Sequence, residues 1–85
     1  IMKTHDLKID PQYFEAIADG RKTFEIRKND RNYKVGDKLV LREYDSSIFK
    51  CAHTCDCHRY TGKEIKCTVS YITELKLYEI HINCF

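Results

Sequence analysis

No apolar run in this chain approaches the roughly 20 residues that a membrane-spanning helix needs. No signal-peptide pattern opens it, and Met2, preceded by Ile1, is expected to be the natural first residue. Both absences lead to the expectation of a cytoplasmic protein with no membrane partner. No Cys-x-x-Cys occurs, which argues against tuned redox chemistry. The cysteines number five, an odd count, so free thiols in a reducing compartment are expected rather than a disulfide framework. No strand-helix-strand unit repeats, which excludes a doubly wound parallel sheet. Proline occurs once and glycine three times, and each falls where an element starts or stops.

What remains is an ordinary soluble composition, 42% apolar and 33% charged. A chain of 85 residues makes one domain, taken as 2–85, and buries roughly 60–65% of its unfolded surface around one small core. The net charge is only +2 but unevenly placed. Residues 20–42 hold Arg21, Lys22, Arg27, Lys28, Arg31, Lys34, Lys38 and Arg42 against Glu25, Asp30 and Asp37. A local basic zone in a nearly neutral domain suits an anionic partner such as nucleic acid, or is a solvated lysine-rich face.

Taken in order, His5, Leu7 and Ile9 share one face of a short first strand, which puts His5 at the core edge where it can line a pocket. Asp10-Pro11 starts a helix, with Asp10 as the cap and Pro11 in the first turn. The helix runs to about Asp19 on a stripe of Tyr13, Phe14, Ile17 and Ala18, and Gly20 stops it. A second strand spans about Thr23–Lys28. After a Gly36-Asp37 turn a third covers Leu39–Tyr44, and its Leu39-Val40-Leu41 run suggests burial on both sides. Residues 45–62 show no period and form a long loop, mobile or functional. Ile65, Cys67, Val69 and Tyr71 alternate in a fourth strand, and Tyr78–Cys84 forms the last. One helix and about five strands give an α+β, mostly β class: a small, mainly antiparallel barrel.

Two stretches carry chemistry. In Asp19–Arg27, alternation puts Phe24 and Ile26 on one face, read as core, and Glu25 and Arg27 on the other, with Lys22 at the turn beside them. Three charged groups of mixed sign at the mouth of a strand make a ligand-orienting site, or a solvated ion pair of little consequence for stability. The second stretch packs Cys51, His53, Cys55, Cys57 and His58 into eight residues. The Cys51–Cys55 spacing fits one zinc knuckle, but no second follows at the usual separation. No cofactor is therefore expected, zinc on Cys51, His53, Cys55 and Cys57 being the alternative.

The pattern Gly20-x-Lys22-x-x-Glu25-x-Arg27, after a short helix and before Gly36-Asp37, resembles the ASCH domain family of the PUA-like superfamily. His5-x-Leu7-Lys8, Tyr13-Phe14 and Arg27-x-Asn29-Asp30-Arg31 resemble its small bacterial and phage branch. The resemblance implies a barrel with a cleft beside the first helix that binds RNA or a nucleotide-like ligand, lined by Gly20, Lys22, Glu25 and Arg27. Arg27 would hold a phosphate or base edge in its planar fork and Lys22 would act as a point charge. His5 and Tyr44 are the further candidates for contact, with Tyr33 and Tyr60 as other stacking residues. A monomer is expected.

The alternative is enzymatic. Similar small bacterial proteins resemble amidohydrolases of acylated cytidine that use a lysine, a threonine nucleophile and a distant glutamate. Here Glu25 stands where that threonine would be, Thr23 points away by alternation, and Glu74 is the remaining acid. Without the hydroxyl the covalent step is lost, leaving Lys22 and Glu25 as an acid–base pair, so binding ranks above hydrolysis. A protein-interaction adaptor ranks third.

Overall fold

The computed structural model describes residues 2–48, 57–76 and 79–84. Strand β1 is Thr4–Ile9, and its strict alternation buries His5, Leu7 and Ile9. Helix α1 is Pro11–Ala18. Asp10 caps it by accepting from the Gln12 amide at 3.2 Å, and Pro11 occupies the first turn. Gly20 ends it in the left-handed region, φ +84°. Eight residues are too few to hold a helix alone in water, so packing must stabilise it. Only Phe14 is buried and Ile17 packs partly against the core. Tyr13 and Ala18, expected on the buried stripe, are exposed, because a two-turn helix resting on one sheet covers a narrower face.

Strands β2 (Phe24–Lys28), β3 (Lys38–Tyr44), β4 (Tyr60–Lys76) and β5 (Glu79–Cys84) complete one sheet of order β1-β3-β4-β5-β2. β1 runs parallel to β3 and the other pairings are antiparallel. β4 is the spine. Its first half pairs with β3 and its second with β5, with a shift of register in each pairing. It is longer than alternation suggests, because Tyr60, Thr61 and Gly62, read as loop, already belong to it. Leu7, Ile9, Phe14, Leu39, Leu41, Val69, Ile80 and Ile82 form the core, with Cys67 and Tyr33 at its margin. Val40 is only half-buried, so β3 has one core face rather than two.

The α+β, mostly β class holds, but the sheet does not close into a barrel. Among the described residues β1 and β2 remain unpaired edges. Two arginine side chains span the gap instead: Arg27 Nη2 donates to the Lys8 carbonyl, and Arg31 Nη1 to the Asp6 carbonyl at 2.8 Å. A guanidinium on its stem bridges a wider gap than the ~4.8 Å of a backbone ladder. The edges are therefore tethered but held apart.

The long connection after β3 has structure at both ends. Asp45 accepts from the Ser47 amide and hydroxyl, and its own amide donates to the Arg59 carbonyl at 2.8 Å. Cys57–Arg59 is a 3-10 turn leading into β4. Cys51, His53 and Cys55 lie outside the described residues, as does the side chain of Cys57.

A buried polar clamp fixes the other end of the sheet. Asp37, 1% exposed, accepts from the amides of Lys3 and Lys34 at 3.0 Å each and from His5 Nε2 at 2.8 Å. The Lys3 amide is the first cause, and the His5 contact the second, of a carboxyl pKa lowered from 3.8 to about 2. An ionised carboxylate only accepts, so His5 carries its proton on Nε2. Because the folded value lies below the unfolded one, the clamp stabilises the fold above about pH 4 and loses that contribution as pH falls toward 2. Asp37→Asn should lower the thermal midpoint at neutral pH, and the deficit should shrink between about pH 4 and 2. Melting curves followed by circular dichroism across that range check this, and a deficit that stays constant would remove the charge of Asp37 as its cause.

Candidate functional site

β2 is inverted relative to its apolar pattern. Glu25 is buried and Arg27 half-buried, whereas Ile26 is 50% exposed and Phe24 only partly covered. The expectation that Phe24 and Ile26 face the core is thus overturned. Among the described residues β2 pairs only with β5, whose register sets Glu25 opposite Ile82 and Arg27 opposite Ile80, so both charged residues lie on the core side of the sheet at its edge, where they border the gap toward β1.

Three of the expected residues meet in that gap. Lys22 Nζ donates to Glu25 Oε1 at 2.8 Å, and Arg27 Nε donates to Glu25 Oε2 at 2.9 Å. Glu25 needs both, since a carboxylate removed from water is costly unless paired and hydrogen-bonded. The chain aims Lys22 by folding back at the end of α1, where the Lys22 amide donates to the Ala16 carbonyl at 3.0 Å. Its ammonium then lies 4.9 Å from the centre of the Tyr13 ring and 5.2 Å from that of Phe24. Arg27 reaches on to the Lys8 carbonyl, linking the trio to the opposite edge.

These side chains border a cleft of about 600 Å³, the gap between the two edge strands. Residues 8–10 form one side, Phe24–Lys28 the other, and Tyr13 and Lys22 the end nearest the helix. Its lining includes Lys8, Lys22, Arg27 and Lys28 together with Asp10 and Glu25. Arg27 has five N–H donors, and its bonds to Glu25 and Lys8 use two, leaving three for a ligand. The surface can receive a planar anionic molecule, with charge toward Arg27, Lys22 and Lys28 and an apolar face against Tyr13 or Phe24.

The other expected site residues lie elsewhere. His5 belongs to the Asp37 clamp and packs against Tyr33, the rings tilted at 53° with centres 4.7 Å apart. Tyr33 is itself buried, and desolvation first of all raises its phenol pKa, so it is a core residue. Gly20 does not line the cleft, and a Cβ there would meet nothing within 4 Å, so its positive φ is what calls for glycine. Tyr44 stands outside the lining but touches it through Lys8. The basic zone is dispersed: Arg21 pairs with Asp19 at 2.7 Å, Arg31 holds Asp6, Lys38 donates to Thr68, and Arg42 lies over Tyr60. Among the described residues no cluster of three or more His, Cys, Asp or Glu could hold a metal. Lys8, Asp10, Tyr13 and Lys28 were not expected in the cleft. Lys8 sits at an outward position of β1, but nothing in the sequence brings β1 opposite β2.

The profile of a domain family of unknown function, DUF3850, matches residues 4–83. A protein of Escherichia phage P2, described as an uncharacterized 12.9 kDa protein in the GpA 3' region, is 33% identical over 73 residues. The match covers 86% of this chain and 57% of the phage protein, so the chain spans little more than half the length of the curated relative it matches.

The pairing of Glu25 makes a direct prediction. Glu25→Gln keeps the shape but removes the charge that two cations share, and should lower unfolding stability by about 1–3 kcal/mol in urea titrations. A loss within error would mean that water or other groups already satisfy Lys22 and Arg27.

Proposed function

This chain belongs to the DUF3850 family, and we propose that it uses the cleft between β1 and β2 to bind an RNA or nucleotide-like ligand. The observation that carries this reading is the inward turn of Lys22, Glu25 and Arg27 beneath a cleft walled by aromatic rings. Its volume of about 600 Å³ falls in the range of small-molecule sites. Glu25 holds both cations at fixed positions, so their remaining donors are ordered before a ligand arrives. Arg27 meets a phosphate or base edge through its planar fork, Lys22 and Lys28 add point charges, and Tyr13 or Phe24 offers a stacking face. The likeness of Gly20-x-Lys22-x-x-Glu25-x-Arg27 to the ASCH domains of the PUA-like superfamily supports the same class of ligand.

The geometry favours binding over amidohydrolysis. Among the described residues no serine, threonine or cysteine lines the cleft. Lys22 Nζ is engaged with the Glu25 carboxylate at 2.8 Å rather than presented to a carbonyl.

Titration of the labelled protein with uridine 5'-monophosphate and then with short single-stranded RNA tests the reading. Saturable amide shifts centred on Lys22, Glu25 and Arg27 are expected, with affinity falling as salt rises. Arg27→Lys keeps the charge but loses the fork, and should weaken binding about tenfold. Shifts confined to Lys34 and Lys38, or an affinity indifferent to salt, would sink the proposal.

A further inference from the structure

The gap between β1 and β2 is crossed by side chains rather than open along its length. Arg27 Nη2 reaches over it to the Lys8 carbonyl, and two residues back along β1 Arg31 Nη1 reaches over it to the Asp6 carbonyl. One residue further back, the buried Tyr33 packs against His5. At the other end stand Tyr13 and Lys22, the Lys22 ammonium 4.9 Å from the centre of the Tyr13 ring. On the β1 side the cleft is lined by Lys8, Ile9 and Asp10, a wall of roughly 10 Å at about 3.3 Å per residue. The surrounding cations do not prolong it into a track, because they are matched already. Lys8 Nζ lies 4.6 Å from the centre of the Tyr44 ring and the Arg42 guanidinium 4.1 Å from that of Tyr60. Arg59 donates to the Ile48 carbonyl and the Tyr44 hydroxyl, and Arg21 pairs with Asp19.

We propose that the cleft takes a single nucleotide unit, free or presented by an RNA, and not a strand laid along the gap. The inference rests on the reading of the cleft given above and narrows it. Grooves that follow a single strand do so over about 4–16 nucleotides, with a run of cations for the backbone and successive rings for the bases. Here the two guanidinium crossings stop such a path on one side, and Tyr13 and Lys22 stop it on the other. The cleft's volume of about 600 Å³ lies in the range of sites for one small molecule. One base against Tyr13 or Phe24 and one phosphate toward Arg27 and Lys28 use the groups that line it. A second unit has to leave through the mouth, where it meets cations and rings that already have partners.

Isothermal calorimetry with uridine 5'-monophosphate, a 5'-phosphorylated uridine tetranucleotide and a covalently closed ring of oligouridine decides the matter. The tetranucleotide should bind within about twofold of the mononucleotide, since its added units find no further site. Arg27→Lys should weaken both by the same factor, about tenfold, because both place one unit on the same fork. A tetranucleotide tighter by about tenfold or more, the gain that one added stacking contact supplies, overturns the single-unit reading while leaving the cleft intact. Tetranucleotide affinity untouched by Arg27→Lys puts the strand outside the cleft and overturns it as well. With equal affinities for mononucleotide and tetranucleotide, the ring separates the two sources and supports the proposal either way. A ring that binds as tightly assigns the unit to an RNA, and a ring that does not bind assigns it to a free or terminal nucleotide. No binding of mononucleotide or tetranucleotide removes the cleft reading and the single-unit inference together.

Discussion

A carboxylate taken out of water has to be matched by cations and hydrogen bonds, and the site depends on how Glu25 meets that demand. Its two oxygens receive Lys22 from the end of α1 and Arg27 from its own strand. One buried acid thereby fixes the helix exit, the inward face of β2 and the arginine that reaches β1. Glu25 thus orders the two cations that border the cleft.

The parts of the structure that sequence reveals are those governed by local rules. Asp10-Pro11 starts the helix and Gly20 stops it because capping and positive φ are demands of single positions. His5, Leu7 and Ile9 turn inward together because alternation has only two outcomes and two aliphatic residues outweigh one imidazole. The same rule failed at β2. Period two says that Glu25 and Arg27 share a face, but not which face is inside. Apolar content decides that only where the strand lies over packed core. The failure of the expected barrel to close and the contribution of Lys8 and Asp10 were hidden for a related reason. They depend on which edges come close, a non-local fact that no short segment encodes.

Among the described residues two acids are buried, Asp37 and Glu25, and they divide the molecule between them. Asp37 is held by two backbone amides and a histidine, groups placed by the start of β1 and the turn before β3. Glu25 is held by two long, charged side chains that retain further donors. The first arrangement is closed and fixes the sheet, and the second is open toward solvent on the cleft side. Chemistry of the same residue class serves structure at one end and leaves room for recognition at the other.

The tethered edges have a further consequence for how copies of the chain behave toward one another. An exposed strand edge offers alternating donors and acceptors, and so invites a neighbouring chain to add a strand. At Asp6 and Lys8 the acceptors are already covered by guanidinium groups, which carry donors only and cannot extend a ladder. Arg27 and Arg31 thus occupy two backbone acceptors on the β1 edge that a neighbouring strand would otherwise use.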